Sequence, residues 1–172
     1  MSPSKLRVLH VTNQLQLGGT EKTLQTFCRY LDKSRFEVYA CGRLSGGVRA
    51  GELERLGIPV VIQPADLTQV VRDYRIDICH IHRAGTYEPG TLPEKRGGFP
   101  RIVETNVFHG FDERDGDRID CHCFVSESSK ASYLRRYGRR SGARYEVLYN
   151  PVDFSEFNVD PKPFTSTIGR CS

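Results

Sequence analysis

No run in the chain approaches the roughly 20 apolar residues that a membrane-spanning helix needs, and the first residues lack the charged and apolar regions of a secretory signal. The expectation is a cytoplasmic protein, at most peripheral to the inner face of a membrane. Two phosphate-binding fingerprints are missing too: neither G-x-G-x-x-G nor the lysine-bearing P-loop pattern occurs. With no acidic residue at the spacing that ribose recognition needs, this argues against a nicotinamide-dependent dehydrogenase. The formal charge of +4, from 25 basic and 21 acidic residues, comes without an aromatic-basic stripe, so nucleic acid is not an expected partner. A second C-x-x-C or an H-x-x-x-H is lacking as well. The six cysteines, Cys28, Cys41, Cys79, Cys121, Cys123 and Cys171, lie mostly within apolar runs, as reduced core residues do. Cys121-His122-Cys123 carries little zinc signal, because neighbours on a strand point to opposite faces.

What is present is enough for one domain: 172 residues, 38% of them hydrophobic, can bury a core. The organising stretch runs from Leu6 to Glu21. Residues 6–12 read as a buried strand, 13–17 as a short loop, and Gly18-Gly19-Thr20-Glu21 as the first turn of a helix whose apolar face is Leu24, Phe27, Cys28 and Leu31. A glycine pair at a helix N-terminus offers unpaired N–H groups and the positive end of the helix dipole without a Cβ in the way, which suits a phosphate. A tight turn with no ligand would use the same residues.

Further strands are predicted at 35–41, 58–62, 76–82, 101–105, 119–125 and 145–149. Between them come a helix opened by Ser45-Gly46-Gly47 and stopped by Gly57, with Leu53 and Leu56 inward, and one capped by Asp66 with Gln69 as partner. A last helix starts at Ser126 and ends at Gly138, with Ala131, Leu134 and Tyr137 inward. Residues 83–100 and 110–118 read as irregular loops, the latter holding Asp115-Gly116-Asp117 as a surface turn rather than a metal motif. Alternating strands and helices imply an α/β fold, a doubly wound, Rossmann-like parallel sheet covered on both faces. Ligands bind such sheets beyond the carboxyl ends of the strands. The loops there hold Gly18 and Gly19, His82 and Arg83, Asn106 to His109, and Asn150. His10 and His80, inside apolar strands, read as ordinary buried histidines. The cations Lys130, Arg135, Arg136, Arg139, Arg140 and Arg144 form a solvated face or one that meets anionic lipid.

Five segments in order then match one family. Val8-Leu9-His10-Val11 leads to Gly18-Gly19-Thr20-Glu21; Asp77-Ile78-Cys79-His80-Ile81-His82 follows, then Thr105-Asn106-Val107-Phe108-His109, Phe124-Val125-Ser126-Glu127-Ser128, and Val147 to Asp153 with Phe157. The chain resembles the N-terminal domain of a GT-B glycosyltransferase of family four, the retaining group that uses nucleotide sugars without a metal. The resemblance implies a Rossmann-like acceptor-side domain over 1–163 and, at 164–172, the start of a second, donor-binding domain. That second domain would bring the basic residues and glutamate pair that hold the nucleotide, so the chain alone should be inactive. By the same resemblance Gly18 and Gly19 approach the donor phosphate and sugar, and His109 lies at the transferred sugar as the catalytic residue. His82 and Arg83 face the acceptor, Thr20 and Asn106 are further substrate-binding residues, and Asn150 precedes the interdomain linker, with Pro151 where glycine is commoner. The expected partners are a nucleotide-sugar donor, a sugar or lipid-linked acceptor and the missing C-terminal domain; no cofactor or metal is expected. A stand-alone glycan- or protein-binding module is the alternative.

Overall fold

The computed structural model describes residues 4–83, 90–106 and 116–157. The strands are β1 (Leu6–Gln14), β2 (Phe36–Ser45), β3 (Val60–Ile62), β4 (Ile78–Arg83), β5 (Arg101–Asn106), β6 (Cys121–Phe124) and β7 (Arg144–Val147). They form one sheet in the order β3-β2-β1-β4-β5-β6-β7, with every neighbouring pair parallel. The helices are α1 (Gly19–Tyr30), α2 (Val48–Arg55), α3 (Leu67–Asp73) and α4 (Glu127–Tyr137). This is the expected doubly wound α/β sheet.

Two cores hold helices to opposite faces. Leu24 and Cys28 of α1 and Ala50 and Leu53 of α2 pack with Val38 and Ala40 of β2. Leu67, Val70 and Val71 of α3 pack with Leu9 and Val11 of β1, Cys79 and Ile81 of β4, and Ile102 of β5. Odd and even positions of β1 and β4 thus serve different helices, as a strand's two-residue period demands. A smaller cluster of Phe124, Tyr133 and Tyr145 seats α4 on β6 and β7.

Several predicted boundaries shift, each for a reason. β2 continues through Gly42 to Ser45 because the strand is flanked on both sides: Gly42 pairs with Thr12 and with Ile62. The capping partner expected at Gln69 is instead Thr68, whose N–H donates to the Asp66 carboxylate at 2.8 Å, while Gln69 donates to Asp73 one turn on. Leu56, expected inward, is 43% exposed just past the end of α2. On α4 the buried face is Ser129 and Tyr133 with Leu134 and Tyr137 beside it, and Ala131 is exposed. Ser126 caps that helix through the Ser129 N–H at 3.1 Å, as expected.

The winding reverses between β1 and β4: from β1 the chain moves outward to β2 and β3, then returns to lay β4 on β1's other side. A crevice opens at such a reversal, beyond the carboxyl ends of the two central strands. The residues following β1 and those ending β4 flank it.

Candidate functional site

Gly18 is the N-cap of α1 and Gly19 its first helical residue. Neither needs to be glycine for the backbone's sake, since Gly18 is extended at φ −146°. A Cβ on Gly19 would meet no atom of the described residues within 4 Å. On Gly18 it would collide only with the carboxylate of Glu21, the tip of a flexible side chain. The missing side chains leave room outside the chain, beside the free N–H groups of the first helical turn. Glu21, in that turn, folds back over Gly18, so an incoming phosphate has this carboxylate as its competitor. Thr20 is half-buried in the same turn.

His82 and Arg83, neighbours at the end of β4, point to opposite faces, and both are buried. On the α3 side, Arg83 Nε lies 3.1 Å from Glu104 Oε1 of β5, and His122 Nδ1 of β6 is 3.6 Å from the other oxygen. Burial pushes the Glu104 carboxyl up, but hydrogen bonds from His122 and Arg83 and the charge of Arg83 outweigh it, so the group sits below its usual range. Arg83, expected to pair with an anionic acceptor, is here 2% exposed and committed to Glu104.

On the α1 side, His82 joins a group that the sequence did not announce. His10 of β1 and His80 of β4 are paired in register, and His82, two residues along, shares their face. His10 Nδ1 is 3.1 Å from His82 Nε2, the His80 and His82 rings stack at 4.2 Å, and His80 Nε2 is 2.8 Å from the Thr105 hydroxyl. Phe27 of α1 lies parallel to the His10 ring at 5.9 Å. Burial holds all three imidazoles below the ordinary histidine value, His80 at about 4, and proximity to its two neighbours adds to the effect on His82. Only pairing of two strands 70 residues apart creates the cluster, so no local motif could have found it.

The remaining expected residues are less gathered. Asn106 ends β5, in register with Arg83 on one side and Phe124 on the other. Asn150 is exposed beyond β7. His109 and the expected second domain at 164–172 lie outside the described residues, as do Asp115 and Cys171. A residue missed by sequence reasoning is Asp153. Its carboxylate is buried and accepts from Arg29 Nη1 at 2.8 Å, Tyr30 OH at 2.7 Å and the Ser155 N–H at 3.0 Å. With the Lys22–Glu156 ion pair it ties the segment after β7 along α1. Hydrogen bonds from Ser155 and Tyr30, with the nearby Arg29, hold the Asp153 carboxyl below its usual range. A groove of about 390 Å³ lined by Arg101, Asp120, Cys121 and Arg144 sits at the amino-terminal edge of β5–β7, away from these loops.

No protein-family model and no curated protein sequence matches the chain. Solved structures do. An α-glucosyltransferase in complex with UDP and a 13-mer DNA superposes with a TM-score of 0.58 at 13% identity, over 89% of this chain and 44% of that one. A mutant O-GlcNAc transferase of Thermobaculum terrenum superposes with a TM-score of 0.53 at 15% identity, over 84% of this chain and 27% of that one. The chain has the Rossmann-like fold seen in GT-B glycosyltransferases, and spans less than half the length of either neighbour. Among the described residues no helix is long and apolar enough to cross a membrane.

Proposed function

We propose that the chain is the acceptor-side half of a retaining, nucleotide-sugar-dependent glycosyltransferase of family-four type, acting in glycan or glycolipid synthesis. The observation that carries this reading is the glycine pair at the switch point. Gly18 and Gly19 head α1 where the winding reverses; among the described residues an added Cβ meets nothing at Gly19 and only the flexible Glu21 carboxylate at Gly18. Glycine at Gly19 forgoes up to about 1 kcal/mol of helix propensity relative to alanine, whereas at the N-cap Gly18 it is a favoured residue, so Gly19 is the position whose gap we read as serving something outside the chain. A donor phosphate or the sugar next to it meets that description, held by N–H groups and the helix dipole without a metal.

In this reading Gly18, Gly19 and Thr20 are on the donor side, His109 lies at the transferred sugar, and His82 and Asn106 belong to the acceptor side. A neutral imidazole at His109 can both donate and accept, which suits orienting the reacting hydroxyl. Arg83 acts indirectly, through its hold on Glu104. The unit covers residues 1–163, Asn150 marks its exit, and the nucleotide itself is held by a second domain beginning near 164. The protein works in the cytoplasm, and the cations from Lys130 to Arg144 are its contact with an anionic membrane surface.

The test is calorimetric titration with UDP- and GDP-sugars of this chain and of a longer product that contains it, with donor hydrolysis assayed in parallel. The expected result is binding and hydrolysis by the longer product alone, with His109→Ala lowering turnover and leaving nucleotide affinity nearly intact. Failure of every sugar nucleotide to bind either protein would leave the fold without the activity, and a glycan- or protein-binding module would replace this reading.

A further inference from the structure

We propose that His10, His80 and His82 form a binding site for a divalent transition-metal ion of the zinc class, set in the core where β1, β4 and α1 meet. The inference does not rest on the transferase reading, although the two share His82, and the ion takes no part in holding the donor.

Two observations converge. One ring nitrogen from each histidine lies within 4.8 Å of the other two, and the residues come from two adjacent, paired strands, which fixes their spacing. One pair of nitrogens, His10 Nδ1 and His82 Nε2, is 3.1 Å apart. Neighbouring ligands around a tetrahedral zinc with Zn–N of about 2.0–2.1 Å are about 3.3–3.4 Å apart, so this pair already stands near ligand spacing and binding has to close only the wider gaps, none above 4.8 Å. His10 Nε2 and His82 Nδ1, buried without a hydrogen-bond partner among the described residues, are the opposite ring nitrogens and carry the protons when the other two hold the ion.

The donor chemistry selects the ion. Neutral imidazoles suit zinc, cobalt, nickel and copper and are poor ligands for magnesium or calcium. The Thr105 hydroxyl at 2.8 Å from His80 Nε2 orients that ring as an outer partner, and Phe27 covers His10 from the helix side. Three nitrogen ligands leave a fourth position for water, hydroxide or a small anion, which offsets part of the ion's charge. His80, at 7% exposed, is the least buried of the three.

The experiment uses the tag-free chain after chelator treatment, titrated with Co²⁺ and then with Zn²⁺. Expected are one equivalent of Co²⁺ with visible d–d bands of tetrahedral strength, no sulfur-to-cobalt charge transfer, loss of the bands on adding Zn²⁺, and a higher melting temperature in Zn²⁺. His10→Gln and His82→Gln should each weaken Co²⁺ binding at least about 100-fold, and Thr105→Val about 10- to 100-fold. Cys121→Ser should change nothing. The wild-type spectrum alone decides if the histidine variants fail to fold. A folded chain that shows neither bands nor a melting shift overturns the proposal. So do bands that survive in His82→Gln, or that disappear in Cys121→Ser, which would move the metal to the neighbouring thiols.

Discussion

At the residue scale the sharpest feature is a buried charge set. Arg83, Glu104 and His122 come from three adjacent strands, and the two ion-pair partners are almost wholly removed from water. Removing one member leaves the other buried without compensation, which typically costs 3–5 kcal/mol. Glu104→Gln and Arg83→Leu are each expected to lower unfolding free energy by about that much, read from chemical denaturation, and the double variant should recover part of the loss. Equal, additive losses would show that the two side chains do not act as a pair. Arg83 was expected to meet a different partner because Glu104 is 21 residues away and becomes its neighbour only through the β4–β5 register. Asp153 was named in sequence only as part of a matched segment, and its buried role was not readable there. Its burial depends on Arg29 and Tyr30, more than 120 residues earlier.

At the element scale, what was readable was whatever local chemistry decides. Ser126 and Gly138 bound α4 as their types require, the serine accepting from the helix's N–H and the glycine taking φ +73°. Ser126→Ala should therefore cost about 1 kcal/mol, measured by thermal melting, and an unchanged midpoint would mean that tertiary packing alone holds α4. Leu134 and Tyr137 turn inward on α4 as expected, and what failed was Ala131. Ala131 and Tyr133 both fit an apolar stripe, but only Tyr133 meets Phe124 and Tyr145, and that choice belongs to the sheet beneath. β2 escaped its predicted end for a similar reason, since hydrogen bonds on both sides carry a strand past a glycine that would weaken an edge.

At the scale of the whole molecule, the strand order matters most, because it alone sets the glycine turn of α1 beside the end of β4. The doubly wound pattern was plain from alternation, but the order was not, and with it went the histidine cluster between the two central strands. That cluster makes the fold acid-sensitive. His10, His80 and His82 titrate below their ordinary value of 6.5 when folded, so below pH 6.5 the unfolded chain takes up protons that the folded chain refuses. Stability is therefore undiminished above 6.5 and falls as the pH drops toward about 4, where His80 protonates in the fold. One pH unit below 6.5 costs about 1.4 kcal/mol per histidine, about 4 kcal/mol for three. Glu104 adds a further loss below 4.5, as its folded value is depressed. Denaturation of the chelator-treated chain at pH 7.5 and 5.5 checks this, and equal stabilities would contradict it.

The central claim is that the gap at Gly19 exists for a nucleotide-sugar donor. Its most direct measurement is donor affinity by calorimetry for Gly19→Val in a longer product that binds donor, with thermal melting alongside. Since an added Cβ at Gly19 meets no atom of the described residues within 4 Å, melting should stay within the small range of an exposed helix-start substitution. Donor affinity should fall at least about tenfold, or about 1.4 kcal/mol. Undiminished affinity in a folded variant would contradict the claim and reduce the glycine pair to a turn.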